Sequence, residues 1–234
     1  MSKQMPRQPV REVMDEPLGA KAYAEADFSE VNQHFLDALL ELVGPLEEAR
    51  AVDLGTGPGD IPIRIIRARP KWRVVAVEAS APMLNFAKKA AADAGITDAI
   101  HWMQADAKDT GLPSSSFDVV FSNSILHHIT QTQVFWEEVK RLAKRGAYVL
   151  LRDLARPATE DDAHRIVETY GGVGPELMRQ DYYKALLSAW TVEEVRSQLA
   201  EAGLETLKVK MVTDRHWDIS GRIAARGPSR NKSG

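Results

Sequence analysis

The sequence predicts an open α/β fold: a mostly parallel seven-stranded sheet, helices on both faces, and an antiparallel hairpin at its C-terminal end. Three observations predict it. Short apolar runs alternate with segments of helical spacing. The first of these runs leads directly into a glycine-rich turn, and the last two extended segments are separated by only a few residues. Parallel neighbours need crossover helices, so alternation of strand and helix along the chain means a parallel sheet.

Residues 1–19 carry three prolines and many charges without periodicity, which predicts a flexible N-terminal arm ahead of one domain spanning 20–226. The runs AVDL (51–54), VVAVE (74–78), FDVVFS (117–122) and AYVLL (147–151) read as buried strands. Between them lie helical stripes. One begins near Ile61, one starts at Ser80 and Pro82, and one carries Phe135, Val139 and Leu142. The segment 156–190 reads as a largely helical cover over a pocket beyond the fifth strand. Thr191 and Glu194 have capping-box spacing at the start of a further stripe, Val192, Val195 and Leu199. Segments 204–212 and 215–225 then form the edge hairpin, turning at Thr213 and Asp214, and 227–234 read as a disordered tail. The order amounts to a Rossmann-like doubly wound arrangement.

Composition narrows the chemistry. The 234 residues are 44% hydrophobic and 27% charged, as in soluble globular proteins. A net charge of −3 lacks the field of a dedicated nucleic-acid binder. The chain has no cysteine, which removes thiol nucleophiles, redox pairs, cysteine-ligated zinc, iron–sulfur clusters and disulfides. No apolar run approaches the ~20 residues needed to cross a bilayer, and the N-terminal stretch has no signal-like apolar core, so a cytoplasmic protein without a membrane span is expected.

The most informative segment is Ala51-Val52-Asp53-Leu54-Gly55-Thr56-Gly57-Pro58-Gly59-Asp60, a strand running through glycines into a helix. Glycine allows backbone angles and ligand approach that a Cβ blocks, and open α/β sheets bind ligands at the carboxyl ends of their strands. Glu78 ends the next strand, where a carboxylate accepts bonds from ribose hydroxyls, so a nucleoside cofactor is expected. The glycines are spaced GxGxG, not the GxGxxG that seats a dinucleotide pyrophosphate, which disfavours NAD.

VDLGTGPGD resembles the first motif of the class I S-adenosylmethionine-dependent methyltransferases, in particular the small-molecule branch that includes ubiquinone and menaquinone methyltransferases. The resemblance continues through VVAVEAS with Met83, through MQADAKDTGLPSSSFDVVFSNSILHHI, and into AYVLLRDLARP, covering about 50–155. It implies S-adenosyl-L-methionine as cofactor and S-adenosyl-L-homocysteine as product. It also implies roles by position: Asp53 orients the turn, while Gly55, Thr56 and Gly57 approach the methionyl part. Glu78 with Ala79 holds the ribose, Met83 packs near the adenine, and Asp106 with Ala107 meets its amino group. Asn123 and Ser124 line the methionyl end, Tyr23 belongs to a helix that closes over the cofactor, and no metal is needed.

The methyl acceptor would lie beyond strands four and five. His127 and His128 follow strand four and Asp153 follows strand five, so one histidine as base with Asp153 as its orienter suits deprotonation of a hydroxyl. O-methylation of a small molecule is therefore the expected reaction, with carbon and nitrogen as the other acceptor atoms. Enzymes of this family that methylate base amino groups typically carry Asn/Asp-Pro-Pro-aromatic after strand four, whereas this chain has Asn123-Ser124-Ile125-Leu126. Nucleic acid is therefore not an expected partner. Arg152, Arg179, Tyr182, Tyr183 and Trp190 are candidate acceptor-pocket residues, the arginines suiting an anionic substrate. The clusters Lys140-Arg141, Lys144-Arg145, and Arg222, Arg226 and Arg230 read as solvated faces. Two other functions fit parts of this pattern: a nicotinamide-dependent oxidoreductase, and a non-catalytic S-adenosylmethionine-binding sensor or partner subunit. A homodimer is a further option, since the hairpin offers an edge that a second copy could cover.

Overall fold

A computed structural model describes residues 4–11, 13, 16–96, 98–171 and 176–224, so the expected tail at 227–234 lies outside the described residues. The chain forms α1 (Pro17–Glu25), α2 (Ser29–Val43), β1 (Arg50–Leu54), α3 (Asp60–Ala68), β2 (Arg73–Glu78), α4 (Ala81–Asp93) and β3 (Ile100–Gln104). It continues with β4 (Phe117–Asn123), α5 (Thr132–Leu142), β5 (Ala143–Leu154), α6 (Glu160–Tyr170), α7 (Glu176–Ser188), α8 (Val192–Glu201), β6 (Lys208–Met211) and β7 (His216–Arg222). The seven strands form one sheet in the order β3-β2-β1-β4-β5-β7-β6. The first five are parallel, while β7 runs antiparallel to both β5 and β6.

Local chemistry accounts for the boundaries. β1 buries every residue after Arg50, as expected of a strand covered on both faces. α3 turns Ile61, Ile63, Ile65 and Ile66 inward. Ser80 caps α4 through its hydroxyl, which accepts the Met83 N–H at 3.4 Å. At α8 the Thr191–Glu194 capping box forms with both reciprocal bonds.

One face of the sheet packs Phe35, Leu39, Ile65 and Trp72 against Val119 and Phe121. The other packs Phe135, Trp136, Leu199 and Trp217 against Val52 and Val120. A smaller cluster, Ala163, Ile166, Val167, Leu186 and Leu187 with Leu154, joins α6 and α7 above the end of β5. The order reverses between β1 and β4, which opens a crevice at their carboxyl ends.

Two features differ from the sequence reading. β5 runs from Ala143 to Leu154, so Asp153 lies within that strand rather than after it. Its partner is the reason: β7 pairs with β5 from Tyr148 to Leu154, and this ladder carries the strand past its apolar run. The register places Arg152 opposite Asp218, and the two form a buried bidentate ion pair at 2.6 and 2.8 Å. The second difference lies in the arm, expected to be flexible over 1–19. Its described residues 4–11 lie against the body, with the Met5 N–H donating to Ala158 O and the Gln8 N–H to Leu187 O. Pro17, at the first helical turn, starts α1 within that same stretch.

Candidate active site

The glycine turn docks onto the end of β2: the Gly55 and Thr56 N–H groups both donate to Val77 O at 2.9 Å. Its three glycines serve different ends. A Cβ on Gly55 would run into the Ile125 side chain, and one on Gly59 would come within 2.8 Å of Ala87 Cβ and meet the Trp102 ring. Gly57, at φ +55°, has open space where its Cβ would be. Its N–H donates to Glu78 Oε2 at 2.9 Å, and the Ser80 N–H donates to Oε1 at 2.9 Å. Glu78 is thereby aimed by backbone from both sides. Burial raises its carboxyl above the ordinary value, although the backbone bonds from Ser80 and Gly57 oppose the rise.

Asp53 is buried at the end of β1, and burial pushes its carboxyl up to about 7, against the opposing influence of the Thr56 hydroxyl and with the added repulsion of Glu78. The two side chains are close without reaching hydrogen-bond geometry: Asp53 Oδ2 and Thr56 Oγ1 are buried and have no partner. Orphaned oxygens beside an open glycine and an aimed carboxylate fit a ligand that brings its own donors, such as the ammonium and ribose hydroxyls of S-adenosylmethionine.

The remaining cofactor candidates frame the same crevice. Ala79 O accepts from Gln104, Met83 is buried in α4, and Ala107 is buried after β3. Asp106 is exposed beside it, accepting the Lys108 N–H at 2.8 Å. Across the crevice Ser124 takes a positive φ of 60°, uncommon for a residue with a Cβ, while its N–H donates to Arg152 O at 2.8 Å. Asn123 donates to Asn32 Oδ1 at 3.3 Å, and Asn32 donates to Asp60 Oδ2 at 2.8 Å. Arg64 binds the same Asp60 oxygen at 2.6 Å. This chain ties α2 to the start of α3 and the end of β4. The sequence reading missed it, although Asp60 closes the glycine run.

The acceptor-side histidines separate. His127 is buried, its Nδ1 lies 2.7 Å from Asp153 Oδ1, and its N–H donates to Asp153 Oδ2 at 3.1 Å. Burial works to raise the Asp153 carboxyl, but the His127 imidazole and bonds from His127 and Leu154 hold it below the usual carboxylate range. An ionised carboxylate only accepts, so the hydrogen between the two groups is carried by Nδ1. His128 is half-buried and faces the arm instead, with its Nδ1 donating to Arg11 O at 2.9 Å. Tyr23 lies on α1, its ring centroid 4.9 Å from that of Phe28. Burial, then the charges of Asp153 and Glu78, pushes its hydroxyl up to about 12.

The other pocket candidates are mostly engaged. Arg152 is spent on Asp218, and Trp190 donates to Leu126 O at 3.0 Å. Tyr183 stacks on His164 at 4.4 Å, whereas Arg179 is half-buried on α7. Tyr182 has its hydroxyl pushed up to about 12 by burial, with Arg215 opposing. Arg215 in turn lies 3.3 Å from the Tyr170 ring and 3.1 Å from Asp214. His216, which the sequence reading did not single out, opens β7 in the fields of Arg152 and Asp153. Burial and then the charges of Arg215 and Arg152 lower it to about 4, so it is neutral near pH 7. Among the described residues of the basic clusters, Lys140, Arg141 and Lys144 pair with Glu137, Glu138 and Asp118. Arg226 and Arg230 lie outside the described residues.

Comparison with known proteins agrees with this geometry. Residues 52–151 match the model of a methyltransferase domain. The chain is 34% identical over 127 residues to an uncharacterized methyltransferase of Mycobacterium tuberculosis, a match covering 54% of this chain and 61% of that protein. It thus spans about three fifths of that relative's length. It is 26% identical over 188 residues to the ubiquinone/menaquinone biosynthesis C-methyltransferase of Vibrio vulnificus, covering 75% and 69% of the two chains. Among solved structures, an S-adenosylmethionine-dependent methyltransferase from Aquifex aeolicus shares the fold with a TM-score of 0.66 at 20% identity, covering 89% of this chain and 99% of that one. Residues 52–151 therefore carry the similarity to a methyltransferase domain, and the chain shares its fold with the S-adenosylmethionine-dependent methyltransferase from Aquifex aeolicus.

Proposed function

We propose that the protein methylates a hydroxyl oxygen of a small molecule, with S-adenosylmethionine as methyl donor and His127 as the base. When bound, the cofactor supplies an electrophilic methyl group on a sulfonium sulfur. Gly57, Glu78, Asp53 and Thr56 bind and orient it, Asn123 and Ser124 border its methionyl end, and Asp106 and Ala107 border its adenine. Tyr23 and α1 exclude water from the crevice. Asp153 holds the His127 ring in one tautomer with Nε2 bare, ready to take the acceptor's proton. The observation that carries this reading is the buried His127–Asp153 pair at 2.7 Å, with His127 in the turn after β4 and Asp153 near the carboxyl end of β5. His128 is instead hydrogen-bonded toward the arm, through Arg11 O.

A second acceptor atom is favoured by one observation, the similarity to the Vibrio vulnificus C-methyltransferase. Removing a proton from a hydroxyl on a conjugated ring also enriches a ring carbon, so the same base serves carbon methylation. The oxidoreductase and sensor readings have no comparable support. Among the described residues no helix is long and apolar enough to cross a membrane.

Calorimetry of S-adenosylmethionine, S-adenosylhomocysteine and NAD with wild type and Glu78→Ala tests the cofactor assignment. Binding of the first two, at least tenfold weaker in the variant for loss of charge-assisted bonds, is expected. Binding of NAD alone would sink the methyltransferase reading. With an acceptor found by screening, His127→Ala that keeps wild-type turnover would remove the base.

A further inference from the structure

The arm residue Arg7 makes contacts that a surface strap does not need. Its guanidinium donates from Nε to Ser188 O at 2.6 Å, and from Nη2 to His127 O at 2.8 Å and Ile129 O at 3.3 Å. It also lies over the Trp190 ring, 4.0 Å from the centroid. Four segments therefore meet at one side chain: the arm, the end of α7, the residue before the Thr191 cap of α8, and the turn that carries His127.

That turn depends on outside partners. The His128 and Ile129 N–H groups close short turns onto Ile125 O and Leu126 O, but no helix follows that would use the carbonyls of His127 and Ile129. Buried carbonyls without partners cost free energy, and Arg7 satisfies both with one planar group. His127 is consequently fixed on two sides: Asp153 binds its N–H and Nδ1, and Arg7 binds its carbonyl.

We propose that Arg7 is a positioning residue for the reaction: it acts through the His127 backbone to keep the imidazole seated on Asp153. The same contacts tie the seat of the base to the acceptor cover, because Ser188 ends α7 and Trp190 precedes α8. The proposal rests on His127 being the base, while its structural content, that Arg7 seats the imidazole, is measurable without an acceptor.

Histidine-selective 15N NMR on the full chain reads the Nδ1 proton of His127. In the wild type it is a slowly exchanging signal shifted downfield by Asp153. Arg7→Ala speeds its exchange by about tenfold or more, the effect of losing a charge-assisted bond. Gln4→Ala, which removes a different arm bond, from Gln4 to Pro157 O, leaves the signal as in wild type. Arg7→Lys, which retains one donor group and the charge, restores part of the protection and serves should Arg7→Ala not fold. A wild-type signal in Arg7→Ala, or equal loss in Gln4→Ala, overturns the proposal. S-adenosylhomocysteine binding, measured alongside, is expected to stay within about twofold of wild type in Arg7→Ala, because the bonds of Arg7 to Ser188, His127 and Ile129 lie on the acceptor side. If the wild type binds no S-adenosylhomocysteine, the methyltransferase reading fails while the exchange result still decides the seating role.

Discussion

Asp53 shows how a proposed binding residue can oppose folding. Its folded carboxyl titrates at about 7, above the ordinary 3.8, so the folded chain holds a proton that the unfolded chain has lost between those values. Stability accordingly falls as pH rises from about 4 to about 7, by up to about 4 kcal/mol, and stays reduced above that. Asp53→Asn removes this dependence. Urea midpoints are expected to match wild type near pH 4 and to exceed it at pH 8, while S-adenosylmethionine affinity falls. A variant no more stable than wild type at pH 8 contradicts the assignment. The sequence exposed Asp53 because it sits in a run whose residue types are tied to backbone geometry. Arg7 gave no such signal, since its partners are carbonyls, which any side chain type at those positions would present. His216 was hidden for a related reason: its burial comes from strands far apart in the sequence.

Among the elements, β5 and β7 carry the largest concealed commitment. Arg152 and Asp218 face each other in the ladder and are almost wholly enclosed. Arg152→Met leaves a buried carboxylate without its partner and is expected to lower the unfolding free energy by about 3–5 kcal/mol, read from denaturant midpoints. The double variant Arg152→Met/Asp218→Leu recovers most of that loss, because no charge is then stranded. The sequence offered Arg152 as an anchor for an anionic acceptor; only the register reveals that Asp218 already occupies it. The strands and the hairpin, by contrast, were legible because period and apolar content are local properties. At the sheet edge, β6 exposes Lys208 and Lys210. A second copy pairing there would have to accommodate these charges, the usual device against edge association.

On the scale of the whole molecule, the two halves of the sheet differ in how far apart their partners lie along the chain. β1, β2 and β3 are consecutive, whereas β7 inserts between β5 and β6, 66 residues separating Arg152 from Asp218. Loop-closure entropy opposes such distant pairing until it is rewarded by contacts. In pulse-labelled hydrogen exchange during refolding, amides of β1, β2 and β3, whose pairings are the short-range ones, are expected to gain protection before those of β7. Simultaneous protection throughout would show a single closing step. The fold class was readable at this scale because alternation of strand and helix has few solutions. The way the arm, the cover and the histidine turn converge was not, since it is a property of the assembled surface.

The inserted β7 also gives synthesis a direction. A ribosome releases the glycine turn, Glu78 and the Asp153 strand well before His216 and Asp218 emerge. During that interval Arg152 has no counter-charge and the flank of β5 is unpaired, an invitation to a neighbouring nascent chain. The β6–β7 hairpin thus acts as a seal on β5, and the growing chain is most exposed to mispairing until that hairpin has emerged.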